Sequence, residues 1–199
     1  MTSANPAVDS LLSRTSLAGA FMKPPAPDET ELKQILGAAQ RAADHKRLRP
    51  WRFIIVRPEQ YDAFYDRLAE AATRVQGDPS RYEMNRDKYR LTARAPLLVV
   101  AAAKIDPSAK VAPIEQAFAA AGATQLVLNA AHAMGYSAFL FSGAGVFDTP
   151  FKASLGLAPQ DHLIGFICLG TGEGPGKPGP SAEESVREGL ARTVSEWSP

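Results

Sequence analysis

The stretch that most constrains the fold is Ile114–Met134, which holds EQAFAAAGATQLVLNAAHAM between Pro113 and Gly135. Proline opens a helix well, because its missing N–H would be unpaired in the first turn anyway. Glycine closes one well, because it adopts the left-handed conformation that ends a helix. Alanine and glycine lie on several faces of this helix rather than on one. Small side chains all round permit close approach to neighbours, so the helix belongs in the centre of a domain or across a subunit interface.

Four apolar runs read as strands: Trp51–Val56, Leu97–Ala103, Tyr136–Phe141 and Leu163–Leu169. The first is almost continuously apolar, which predicts a strand buried on both faces of a layered sheet. Further helices are predicted between the strands. One starts at Asn5-Pro6 and carries Val8, Leu11 and Leu12 on one face. A second has Asp28 and Glu31 as a capping box and a stripe of Leu32, Ile35, Leu36 and Ala39 that fades near Ala43. A third begins at Pro58 and runs through Tyr61, Phe64, Tyr65, Leu68, Ala72 and Val75 to the break at Gly77-Asp78-Pro79. The segment that follows has only Tyr82, Tyr89 and Leu91 as apolar anchors. It reads as the least securely packed part of the chain, either a mobile cover over a site or a plain exposed helix. Lys23–Pro27 is an extended loop, because its prolines exclude helix. Thr149-Pro150 starts a short helix, residues 171–180 form a Gly/Pro-rich loop, and residues 181–199 carry a terminal helix with a Ser-x-x-Glu start. These elements fit one small α/β domain spanning residues 1–199, the usual size of a single domain.

The bulk numbers remove several function classes. A formal net charge of +1 gives no reason to expect nucleic acid or an anionic membrane as the main partner. The longest apolar run, Ala95–Ala103, is far shorter than the ~20 residues a membrane helix needs. The first residues, MTSANPAVDSLLSRTS, lack a basic segment followed by an apolar run, so no secretory signal is expected. The single cysteine, Cys168, sits in an apolar strand and reads as a core residue. Together these predict a cytoplasmic protein.

Chemistry-bearing residues gather at two places. Arg14-Thr15-Ser16 ends the first helix; a guanidinium beside two hydroxyls can cradle a phosphate, and can equally be a solvated helix end. Asp44–Pro50 holds His45, Lys46, Arg47 and Arg49, either a solvated basic loop or an anion-binding edge. His132, near the end of the long helix, reads as a satisfied helix-end histidine. No GxGxxG, GxxxxGK[ST], HExxH, CxxC or GxSxG occurs, and the three histidines show no metal-ligand spacing. An enzyme without its own nucleophile, metal or paired acids points to a cofactor that carries the chemistry.

Arg14-Thr15-Ser16 followed by RAADHKRLRPWRF at 41–53 resembles the nitroreductase family of FMN-dependent enzymes, most nearly its small YdjA-like branch. Lys110-Val111, Glu115-Gln116, Ala121-Gly122-Ala123, Gly135-Tyr136 and GFICLGT at 165–171 continue the likeness. The resemblance implies a three-layer α+β fold, with a mostly antiparallel sheet surrounded by helices in an intertwined homodimer. It implies FMN sites built from both subunits. Arg14, Thr15 and Ser16 would hold the phosphate and ribityl end, Arg41 and His45 would reach the partner's flavin, and Leu140, Phe141 and Ser142 would lie along the ring system. Lys177 would assist with the phosphate. The implied activity is ping-pong, two-electron transfer from NAD(P)H through FMN to a small nitroaromatic or quinone-type acceptor. Ala18 and Phe141 stand where relatives often carry cations, leaving Lys46 or Arg49 to compensate. The alternative is a dimer of the same fold with a weakened or lost flavin site, acting as a ligand-binding or structural protein.

Overall fold

The computed structural model describes residues 5–92, 94–172 and 182–197. A five-stranded, wholly antiparallel sheet is built from β1 (Met22–Lys23), β2 (Trp51–Val56), β3 (Leu97–Ala103), β4 (Ser137–Phe141) and β5 (His162–Gly172). β5 is the hub, pairing with β1, β3 and β4, while β2 pairs only with β3 at the edge. The seven described α-helices are α1 (Pro6–Ser13), α2 (Glu29–Ala38), α3 (Tyr61–Gln76), α4 (Tyr82–Thr92), α5 (Pro113–Ala133), α6 (Thr149–Ser154) and α7 (Ala182–Thr193).

Strand alternation divides the interior into two cores. On one face Leu98, Val100, Phe166 and Cys168 pack with Phe64, Tyr65 and Leu68 of α3, Tyr89 of α4 and Phe151 of α6. On the other, Leu97, Val99, Ile167 and Leu169 pack with Leu32 and Ile35 of α2 and with Ala120, Ala123, Val127 and Ala131 of α5. The chain is therefore three layers, helices on both faces of the sheet. Each large aliphatic side chain removed from water contributes roughly 1.5–3 kcal/mol. All seven residues of β3 are buried, as a strand covered on both faces requires.

β2 departs from expectation. Trp51 and Val56 are buried, but Phe53, Ile54 and Ile55 are only half-buried and Arg52 is exposed. An apolar run cannot reveal whether its strand is central or at an edge, and here it is at the edge. The polar helix α4 also differs from a loose cover. Tyr89 is buried, Asn85 Nδ2 donates to Thr73 Oγ1 (3.0 Å) and Gln76 Oε1 (2.9 Å), and Arg86 Nε donates to Asp66 Oδ1 (2.7 Å). Hydrogen bonds to α3 replace the apolar stripe that α4 lacks. The loop before α2 contains the two-residue strand β1, too short for a period-two pattern to announce.

Gly165 is where the sheet needs a glycine. Its φ is +156°, and an added Cβ would lie 2.5 Å from the Phe141 carbonyl oxygen. It sits where the β3–β5 register shifts, beside Ala101 and Ala102.

α5 shows why its sequence has no polar face. Gln116, Ala119, Ala120, Ala123, Thr124, Val127, Leu128 and Ala131 are buried against the sheet and α2. Its outer side carries Ile114 (57% exposed), Phe118 (66% exposed), Ala121, Gly122 and Gln125, at helical spacing along one stripe.

Candidate functional site

The end of α1 leads into the phosphate-cradle candidate. Asn5 caps α1 through Ala7 N–H at 3.0 Å. Ser13 Oγ lies 3.1 Å from His132 Nε2, so the far end of α1 is held against the C-terminal end of α5. His132 is thus a partnered helix-end residue, as its position predicts. The chain then becomes extended, and Leu17 N–H donates to Ala138 O of β4 (3.4 Å). Thr15 and Ser16 are exposed and Arg14 is half-buried. Arg14 Nη1 is itself buried and has no hydrogen-bond partner among the described residues. Buried guanidinium donors are usually paired, so an unpartnered one next in sequence to two hydroxyl side chains makes this turn a candidate anion site.

β4 leads away from this cradle. From Ala138 to Ser142 the chain advances roughly 13 Å at ~3.3 Å per residue. Leu140 faces the α5 side and is half-buried, and Ser142 is exposed just beyond the strand. Phe141 points the other way: it is 8% exposed, with its ring 5.1 Å from that of Phe166 and 6.1 Å from that of Phe139. Its ring belongs to the core, so only its backbone can border a ligand on the α5 side. Lys177 lies outside the described residues.

The basic loop stands at the other end of α5. Arg41 closes a 3₁₀ turn after α2, and His45 opens another. His45 Nδ1 lies 3.5 Å from Glu115 Oε2 in the first turn of α5, both side chains more than half exposed. Nothing in the sequence links these residues, seventy positions apart. Lys46, Arg47 and Arg49 all have left-handed backbones, with φ of 63°, 56° and 49°. For non-glycine residues that conformation costs on the order of 1–3 kcal/mol each and persists only when the surroundings impose it. The clamp is Asp44, whose Oδ2 accepts Arg49 N–H (2.6 Å) and whose carbonyl accepts Arg47 N–H (3.3 Å). The adjoining Pro50 carbonyl accepts Lys104 N–H at 2.7 Å. Arg41, Arg47 and Arg49, with Gln40, Asp44 and Trp51, line a cavity of about 430 Å³.

Within one chain the two halves of the predicted site are therefore apart. Glu115, beside His45, and His132, beside the Arg14 turn, are separated by seventeen residues of α5, roughly 25 Å at ~1.5 Å per residue. Arg14, Thr15 and Ser16 lie at one end of α5 and Arg41 and His45 at the other, while β4 carries Leu140 and Ser142 away from the first end.

Arg90 Nε is likewise buried without a partner among the described residues, although its Nη2 pairs with Asp62 and Asp66; several other buried polar groups are structural. Gln116 binds Asp106 N–H and the carbonyls of Asp106 and Val111, pinning the loop before α5. Lys152 Nζ donates to the carbonyls of Pro159 (2.7 Å) and Asp161 (2.9 Å), and Asp161 accepts from Ile105 and Ala158 N–H. Cys168 is fully buried, and desolvation pushes its thiol up to about 12, which removes it from thiolate chemistry. Among the described residues no cluster could hold a metal, and no helix is long and apolar enough to cross a membrane.

Comparison with known proteins places the chain in a family. The nitroreductase family model matches residues 11–171, and the chain belongs to that family. It is 32% identical over 165 residues to Escherichia coli K12 YdjA, named as an NAD(P)H nitroreductase, covering 83% of this chain and 87% of that one. An NAD(P)H nitroreductase-named protein of Haemophilus influenzae is 36% identical over 149 residues, covering 74% of this chain and 79% of the other. The crystal structure of a Bacteroides fragilis nitroreductase with bound FMN superposes with a TM-score of 0.72 at 17% identity, covering 98% of this chain and all of that one. The fold is the one expected from the sequence.

Proposed function

We propose that this chain is an FMN-dependent NAD(P)H oxidoreductase that reduces small nitroaromatic or quinone-type acceptors as a homodimer. The observation that carries the reading is the open, buried Arg14 Nη1 beside Thr15 and Ser16. That donor set fits a flavin phosphate. Arg14 would supply charge and a fork of donors, and the two hydroxyls would supply neutral donors. Leu140 and Ser142 would border the ring, and the buried Phe141 would contribute backbone only. Arg41 and His45 would come from the partner, with Glu115 orienting the imidazole. Lys177 would approach the phosphate.

The same geometry supports the dimer. A second copy with its α5 antiparallel to the first would bring one chain's His45 end to the other's Arg14 end, twice over by symmetry. The exposed stripe of Ile114, Phe118, Ala121 and Gly122 supports α5 as the contact, since two large apolar residues beside two small ones let helices approach closely. Bound FMN would supply two-electron transfer between the nicotinamide donor and the acceptor. The protein's own work is to hold the phosphate, orient the ring, exclude water from one face and leave the other open. A second reading, the same dimer with a weakened or lost flavin site, draws on Ala18 and on the core-directed Phe141 ring.

The test is steady-state kinetics and sedimentation together. The oxidoreductase reading predicts parallel double-reciprocal lines for NAD(P)H and a nitroaromatic acceptor, and a dimer that Phe118→Glu converts to monomer with loss of FMN. A monomeric wild-type protein, or no NAD(P)H oxidation by FMN-loaded protein, refutes it.

A further inference from the structure

We propose that the cavity under the Asp44–Pro50 loop binds a phosphate monoester, and that in turnover this is the 2′-phosphate of the electron donor, which makes the protein prefer NADPH to NADH. The donor assignment rests on the oxidoreductase reading above; the phosphate site does not.

Three observations converge on the cavity. Arg41, Arg47 and Arg49 all line its ~430 Å³. Their guanidinium groups make no hydrogen bond or ion pair among the described residues. The one carboxylate in the lining, that of Asp44, is engaged by the Arg49 backbone N–H. The backbones of Arg47 and Arg49 are left-handed, a conformation that non-glycine residues keep mainly at ligand clamps and other functional sites. Three like charges round one space repel one another, and the loop spends backbone strain to keep them there. A bound polyanion resolves both features.

The charge and shape select the ligand. A phosphate monoester carries about −1.5 to −2 and three strong acceptor oxygens, and guanidinium forks engage such oxygens in pairs. A carboxylate offers one charge and two oxygens to three forks. Trp51, almost fully buried, forms one wall, and Gln40 supplies a neutral amide. Arg41 is shared between this cavity and the edge placed near the partner's flavin, so an anion bound here lies at the approach to the ring. An arginine near the ribose is a common way to accept the 2′-phosphate that distinguishes NADPH from NADH. The other source of such a phosphate is FMN itself.

The test is calorimetric titration of the FMN-loaded dimer with 2′,5′-ADP and with 5′-AMP, repeated on Arg47→Gln and on the charge-keeping Arg47→Lys. The proposal predicts that 2′,5′-ADP binds about tenfold or more tighter than 5′-AMP, that Arg47→Gln removes most of the difference, and that Arg47→Lys keeps part of it, as loss of one charged hydrogen bond requires. kcat/KM for NADPH falls in parallel in Arg47→Gln, while kcat/KM for NADH and the FMN dissociation constant stay unchanged. Equal affinity for the two nucleotides marks a solvated loop and overturns the proposal. A loss of FMN affinity in Arg47→Gln with 2′,5′-ADP binding intact assigns the phosphate to the flavin and overturns the donor assignment. A protein that binds 2′,5′-ADP selectively but oxidises neither NADPH nor NADH keeps the phosphate site and refutes the oxidoreductase reading instead.

Discussion

Replacing Arg14 by alanine should separate binding from folding. Arg14 Nη1 is buried and has no hydrogen-bond partner among the described residues. An unpaired buried donor costs roughly 1–3 kcal/mol of desolvation, so the side chain does not stabilise the free protein through that atom. Arg14→Ala should therefore leave the melting temperature of FMN-free protein unchanged or slightly raised. In the FMN complex the same atom would donate to a charged oxygen, a bond contributing about 1.5–3 kcal/mol, and its loss should weaken FMN binding by about 10- to 150-fold. Flavin fluorescence titration gives the affinity, and calorimetric melting without FMN gives the stability. Arg14→Lys should fall between, keeping the charge and losing the fork. Two results would refute the reasoning: FMN affinity within twofold of wild type, or a fall in apo stability as large as the loss in binding energy.

Three further outcomes are expected. Asp148 accepts from Arg74 Nη2 (2.8 Å) and Nε (3.1 Å) and caps α6 through Phe151 N–H (2.8 Å), and the Arg74 guanidinium holds its carboxyl below the usual carboxylate range. Its stabilisation is complete above the unfolded carboxyl pKa of about 4 and is lost as pH falls through the lower folded value; with Arg74 half exposed, Asp148→Asn should cost about 1 kcal/mol, or about 2–4 °C of Tm, at pH 7 and progressively less in acid melts. Gly165→Ala, with its Cβ forced to 2.5 Å from the Phe141 carbonyl, should destabilise by at least about 1 kcal/mol in denaturant titration, and a neutral result would contradict the glycine's role at the register shift. Cys168, buried with its thiol at about 12, should resist a thiol reagent at pH 8 in the native protein and react once the protein is unfolded in urea; rapid native labelling would contradict its burial.

How far the chain announced its fold differs by element. α5 was legible because a helix with small residues on every face has few places to go, and its buried inner side with an apolar outer stripe fits that reading. β3 and β5 were legible as buried apolar runs. β2 was not, because its apolar run looks the same at a sheet edge as at the centre. The direction of Phe141 was not, because Ala138, Phe139, Leu140 and Phe141 are all apolar and give period-two alternation nothing to act on. The packing of α4 was hidden because Asn85 and Arg86 anchor it by hydrogen bonds to partners on α3. At the site, Arg14, Thr15 and Ser16 were visible as a local cluster. The Glu115 partner of His45 and the strained backbone of Arg47 and Arg49 depend on tertiary placement that no local pattern carries.

The most direct test of the central claim is the visible absorbance spectrum of the purified protein before and after addition of FMN, followed by anaerobic NAD(P)H. The account predicts a protein-bound flavin spectrum, close to one FMN per chain, that bleaches when the nicotinamide is added. A protein that retains no flavin even after FMN is supplied would contradict it and leave the ligand-binding or structural dimer as the reading.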